Sequence, residues 1–157
     1  MYNHKDKNYH CPICFAVQGI ENDDTLIRES DIVYKDDSAM AFIGSFFYGN
    51  NAGAVIIIPV QHFENIYDLP EEIGHKIFDL SKKIAVAEKN AYHCDGITTL
   101  QNNEPGGDQK AFHFHLHIFP RYDGDNFHSK ISEKKTPTSE ERKGYADKIK
   151  KALSELL

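Results

Sequence analysis

Two spacings of apolar residues run through this chain, one with a period of two and one close to 3.6. Ala54-Val55-Ile56-Ile57-Ile58 is a continuous β-branched run, the composition of a well-buried strand, and Pro59 ends it. Thr25–Lys35 and Ala39–Ile43 read as short strands around an Asp36-Asp37 turn. Ser45–Gly53 is a loop rich in glycine and asparagine. From Pro70 to Tyr92 the period changes: Ile73, Ile77, Leu80, Ile84 and Ala87 recur at helical spacing, and Pro70 suits a first turn. Gly96–Leu100 returns to a strand, Gln101–Lys110 is a polar loop, and Phe112–Phe119 alternates strictly. Thr138 and Glu141 are spaced as a capping box at the start of a last helix, whose apolar stripe is Ile149, Leu153 and Leu156. Strands, a long helix, strands again and a terminal helix give an α+β protein with a mainly antiparallel sheet.

Composition bounds this picture. The chain has 157 residues, 40% of them hydrophobic, enough for one domain with a real core. The formal net charge of −6 argues against broad attraction to a phosphate backbone, so no nucleic-acid partner is expected. No apolar run approaches the length of a membrane span, and Met1–His10 lacks the apolar stretch of a secretory signal. A cytoplasmic protein is expected, in which the three cysteines are thiols or metal ligands, not a disulfide framework. Residues 1–10 read as a flexible lead-in.

The alternating segment also carries the candidate chemistry. In His113-Phe114-His115-Leu116-His117-Ile118-Phe119 the period of a strand turns all three imidazoles to one face and Phe114, Leu116 and Ile118 to the core. Three readings follow: a His-x-His metal clasp, a nucleophilic imidazole supported by its neighbours, or histidines on a solvated sheet face. A strand gains no stability from three aligned imidazoles, which favours a site. Cys11-Pro12-Ile13-Cys14 is the second candidate. Two thiolates at this spacing hold half of a tetrahedral zinc site. Cys94 stands alone, so the remaining ligands must be histidines, with His62 and His113 ahead of His10. The competing readings are a pair of reduced cysteines at a turn, or a redox pair, which lacks the expected βαβ surroundings.

The triad segment resembles the histidine triad family, whose pattern is His, apolar, His, apolar, His, apolar, apolar. Ala54–Pro59 followed by His62 resembles the family's apolar strand ending in Pro-x-x-His. Gln101-Asn102-Asn103 and Gln109 resemble its loop before the triad, and Cys11-Pro12-Ile13-Cys14 resembles the zinc half-site of its bacterial members. The resemblance covers residues 11–122 and leaves 123–157 as a C-terminal extension with a helix.

It implies a nucleotide hydrolase or nucleotidyl transferase acting at the α-phosphate of a purine nucleoside phosphate derivative. His115 would be the nucleophile that forms a nucleotidyl-histidine, and His117 would contact phosphate and leaving group. Asn102 and Gln109 would hold phosphate, with Phe42 and Ile43 as a slot for the base. His113 would be shared between the site and a structural zinc bound by Cys11, Cys14, His62 and His113. A homodimer is also implied. The alternatives are a hydrolase with a catalytic metal on the triad face, or a nucleotide-binding protein without turnover. Three departures bear on activity: no carboxylate follows Ala41-Phe42 to grip ribose, Ala54 replaces the family's supporting histidine, and Lys110 follows Gln109.

Overall fold

The computed structural model describes residues 2–156. Among the described residues seven strands follow one another: β1 (Ile32–Lys35), β2 (Ala39–Ile43), β3 (Phe47–Tyr48), β4 (Val55–Pro59), β5 (Gly96–Gln101), β6 (Leu116–Arg121) and β7 (Lys134–Lys135). Four helices accompany them: α1 (Pro12–Val17), α2 (Glu71–Tyr92), α3 (Phe127–Lys130) and α4 (Ser139–Ser154). The main sheet has the order β1-β2-β4-β6-β5 with every pairing antiparallel, and β3 pairs with β7 in a small second sheet.

Alternation along the strands sends residues to two different cores. Ala39, Ala41, Ile43, Val55, Ile57 and Ile118 face α2 and α4, where they meet Ile77, Leu80, Ile84, Ala87, Ala146 and Ile149. Met40, Phe42 and Ile58 face the other way, against Ile13 and Ala16 of α1. Ala54, Phe119 and Phe127 form a third cluster on that second face. The long helix and the capping box at Thr138 and Glu141 match the sequence expectation.

Two strands are shorter than their patterns imply. Thr25–Lys35 is extended only from Ile32, because a 3₁₀ turn at Glu29–Asp31 intervenes. Asp31 is tied up there: its Oδ2 accepts from Arg142 Nε of α4 at 3.0 Å, and both side chains are buried. The histidine strand joins the ladder only at Leu116. Just before it, Phe114 N–H donates to the Phe63 carbonyl at 2.6 Å and so bonds to the loop after β4.

The segment expected as an extension is part of the packing. Ala146, Ile149, Ala152 and Leu153 of α4 lie in the larger core. Residues 2–10 run along the body of the protein. Glu64 accepts from the backbone of His4 and Lys5, Asn65 Nδ2 donates to the Tyr2 carbonyl at 3.2 Å, and Phe112 N–H donates to Tyr9 Oη at 2.9 Å. Among the described residues no helix is long and apolar enough to cross a membrane.

Candidate active site and metal centre

Pairing of β4 with β6 sets the whole site. It lays His115 and His117 beside Ala54 and Ile56 on the face away from the long helix, and it brings His113 to the end of β4. The three imidazoles then divide. His113 is fully buried, and its Nε2–H donates to the Pro59 carbonyl at 2.9 Å. That leaves the Nδ1 lone pair free, and it faces Cys11 Sγ at 3.5 Å and Cys14 Sγ at 3.6 Å. His62 Nδ1 lies 3.2 Å from Cys14 Sγ. The four donor atoms of Cys11, Cys14, His62 and His113 all lie within 4.8 Å of one another.

The chemistry and geometry of this set fit zinc. Zn–S and Zn–N bonds of the usual length at tetrahedral angles put sulfur and nitrogen about 3.6 Å apart. The Cys11 thiol is pulled toward thiolate by the hydrogen bond from Cys14 and by the two imidazoles, and the same bond holds the Cys14 proton. The spacing follows from α1: Cys11 is its N-cap and accepts from Cys14 N–H at 3.4 Å, with Pro12 in the first turn. Four protein ligands would leave the metal no open position, which is the arrangement of a structural site.

His115 and His117 face a cleft of about 340 Å³. His115 Nδ1–H donates to the His113 carbonyl at 2.7 Å, which fixes the tautomer and leaves Nε2 with a lone pair. Burial lowers the pKa of His115. His117 is pushed down to about 3, by burial first and by His115 second. Its ring lies 5.0 Å from that of His115 and stacks at 5.4 Å on Phe119. Both imidazoles are therefore neutral near pH 7. Asn102 joins them in the cleft wall.

Two expected site residues lie elsewhere. Phe42 lines the cleft, but Ile43, one residue further along β2, points to the opposite face and is fully buried in the α2–α4 core. A base slot can use only one of two consecutive strand residues. Gln109 is buried and committed to backbone groups of its own loop and of the loop after β4. Its Nε2 donates to the Glu64 carbonyl at 2.6 Å and the Ala111 carbonyl at 3.1 Å, while Oε1 accepts from Glu104 N–H at 2.7 Å. It shapes the loop, and its neighbours Asp108, Lys110 and Ala111 reach the cleft.

Other wall residues carried no signal in the sequence. Pro12 and Ile13, inside the cysteine knuckle, form part of the wall, as do Phe46, Tyr48 and Lys134. The β3 region is tied down from behind. Asn51 Nδ2 donates to the Pro120 carbonyl and to Asp125 Oδ2, each at 2.7 Å. Asp125 in turn receives Arg121 Nε at 2.7 Å and Nη2 at 2.9 Å, and this pairing holds its carboxyl well below the usual range.

An imidazole of fixed tautomer just before β6, a second imidazole beside it on that strand and a Cys/His cluster that reaches the same segment define a protein of the histidine triad type. The chain belongs to the HIT domain family, whose model matches residues 27–124. It is 36% identical over 96 residues to the Bacillus subtilis protein hit, covering 60% of this chain and 65% of that relative. It is 32% identical over 71 residues to the adenosine 5′-monophosphoramidase of Saccharomyces cerevisiae, covering 45% of this chain and 42% of the yeast protein. The crystal structure of a HIT-like protein from Bartonella henselae superposes with a TM-score of 0.75 at 31% identity, over 95% of this chain and 99% of that one.

Proposed function

We propose that this protein is a nucleotide hydrolase or nucleotidyl transferase whose nucleophile is His115. The observation that carries the reading is the 2.7 Å bond from His115 Nδ1–H to the His113 carbonyl. It leaves Nε2 unprotonated and facing the cleft, as attack on an α-phosphorus requires. The new N–P bond forms from that lone pair while the bond to the leaving group breaks, and the leaving group keeps the electron pair. Water then cleaves the N–P bond. His117 and Asn102 line the same cleft and are the groups for phosphate and leaving group. Phe42 with Ile13, Leu26 and Ile27 gives an apolar end suited to a purine.

The yeast relative named as an adenosine 5′-monophosphoramidase supports a 5′-nucleotidyl substrate. A catalytic metal on the triad face is disfavoured, because the His113 ring turns into the cysteine cluster and His115 Nδ1 is occupied by a carbonyl. Cys11, Cys14, His62 and His113 hold a structural zinc in this reading, pinning α1 to the triad strand. The protein works as a homodimer in the cytoplasm. The unpaired edge strand β5 and the exposed Phe78 of α2 support the pairing of two copies, and sedimentation as a monomer at micromolar concentration would refute it.

The test is AMP release from adenosine 5′-phosphoramidate by the wild type beside His115→Ala. Turnover by the wild type alone, with an adenylyl group trapped on His115, supports the reading. Retained turnover in the variant overturns it.

A further inference from the structure

One cation of the cleft comes from outside the matched domain. Lys134 lies on β7, beyond residues 27–124, yet it lines the cleft that holds His115 and His117. Backbone pairing delivers it there: Tyr48 pairs with Lys134 and Phe47 with Lys135, and Gly49 N–H donates to the Glu133 carbonyl at 2.9 Å. Its ammonium sits over the Phe46 ring, 4.4 Å from the centroid, a contact that holds a cation without neutralising it.

The ladder that carries the lysine runs beside the His117 end of the cleft. Its partner Tyr48 packs edge-on against Phe119 at 5.6 Å, and Phe119 is the ring on which His117 stacks. The two acids of the wall are already engaged by other groups. Asp24 Oδ2 lies 3.4 Å from His10 Nδ1, and Asp108 Oδ1 lies 3.8 Å from Lys110 Nζ. Among the described residues no carboxylate lies within ion-pair distance of Lys134.

We propose that Lys134 is a specificity-determining residue that binds the phosphate of an anionic leaving group, so that the cleft favours nucleotidyl phosphoanhydrides over phosphoramidates. This rests on the reading of His115 as the nucleophile. When His115 Nε2 bonds to the α-phosphorus, the bridging P–O bond breaks and its electron pair stays on the departing phosphate. That phosphate leaves as a stable anion, needs no proton, and gains negative charge in the cleft that Lys134 lines. An amine leaving group has to collect a proton as it departs. The neutral His117, held unprotonated by burial, is a poor source of one.

The experiment compares kcat/KM for diadenosine tetraphosphate and for adenosine 5′-phosphoramidate in the wild type and in Lys134→Met, Lys134→Glu and Lys134→Arg. The expected wild-type ratio favours the anhydride. Lys134→Met lowers that ratio about tenfold and Lys134→Glu lowers it further, as loss and reversal of one charge contact require, while Lys134→Arg stays near the wild type. An unchanged ratio in Lys134→Met, or an equal fall in Lys134→Arg, overturns the assignment. A wild type that turns over neither substrate defeats the nucleophile reading and this inference together, whereas turnover of both with a constant ratio defeats this inference alone.

Discussion

His115 donates its Nδ1–H to the carbonyl of His113 at 2.7 Å, and His113 turns its own ring into the Cys11, Cys14 and His62 cluster. One residue thus gives its main chain to the candidate nucleophile and its side chain to the candidate metal.

His115→Ala removes the lone pair aimed at the cleft while deleting only one buried side chain. Nucleotide release is expected to fall roughly a thousandfold or more, with the far-ultraviolet circular dichroism spectrum unchanged. Steady-state AMP release on the purified variant checks it.

Metal removal acts on stability. Zinc held at a thousandfold above its dissociation constant contributes about 4 kcal/mol, which corresponds to about 8–16 °C in a domain of this size. Dialysis against a strong chelator is expected to lower the melting temperature by that order, and Cys14→Ser to reproduce it. Elemental analysis of the untreated protein is expected to give one zinc per chain.

Asp125 reports acid sensitivity. Its carboxyl is depressed, first by the hydrogen bonds from Arg121. It therefore contributes stability that is complete above the unfolded-state pKa near 3.9 and is lost as pH falls below it. Asp125→Asn is expected to cost about 2–3 kcal/mol at pH 7. The gap to the wild type should close below about pH 4, which urea titrations across that range measure.

Glu88 behaves with the opposite sign. It is fully buried in α2, Oε1 accepts from Val55 N–H at 3.2 Å, and Oε2 has no partner among the described residues. Burial raises its pKa well above the ordinary value. The unfolded chain releases this proton above about pH 4.3 while the folded one keeps it, so stability drains away as pH rises. Relative to the wild type, Glu88→Gln is expected to gain up to about 1.4 kcal/mol per pH unit above that point, until the folded carboxyl itself ionises. Melting curves at pH 5 and pH 8 give the difference.

Gly53 occupies a left-handed backbone conformation (φ +81°), and a methyl group there would run into the ring of Tyr145. Gly53→Ala is expected to cost about 2–4 kcal/mol from strain and overlap together. Gly106→Ala is the control, because among the described residues beyond its chain neighbours nothing lies within 4 Å of a methyl at that position. Chemical denaturation of both variants tests the contrast.

Local signals were the readable ones. Ala39–Ile43 is a strand with the bounds expected from its pattern, and the Thr138 and Glu141 pair caps α4 in both directions. The cysteine knuckle was legible from its spacing, the need for histidine partners from the lack of a second cysteine pair, and the full set with His62 and His113 from the family resemblance. What escaped depends on contacts between distant segments. Ile43 is as apolar as Phe42, and only the parity of β2 decides which one meets the cleft. Gln109 has the polarity of a ligand-binding residue, yet the carbonyls of Glu64 and Ala111 claim it first. The histidine strand begins late because Phe63 takes the Phe114 amide. Lys134 reaches the cleft through a two-residue ladder that no periodicity announces.

The packing of Tyr145 against Gly53, with Phe47 at 5.1 Å and Tyr92 at 5.5 Å from the same ring, has a consequence for biosynthesis. The triad strand leaves the ribosome well before α4 does. Until Tyr145 and the apolar stripe of α4 emerge, Phe47 lacks the ring it packs on, and the α2 side of the sheet stays open where Ile149 and Leu153 will cover it. A nascent chain therefore carries the triad histidines for some time before the core behind their sheet is closed.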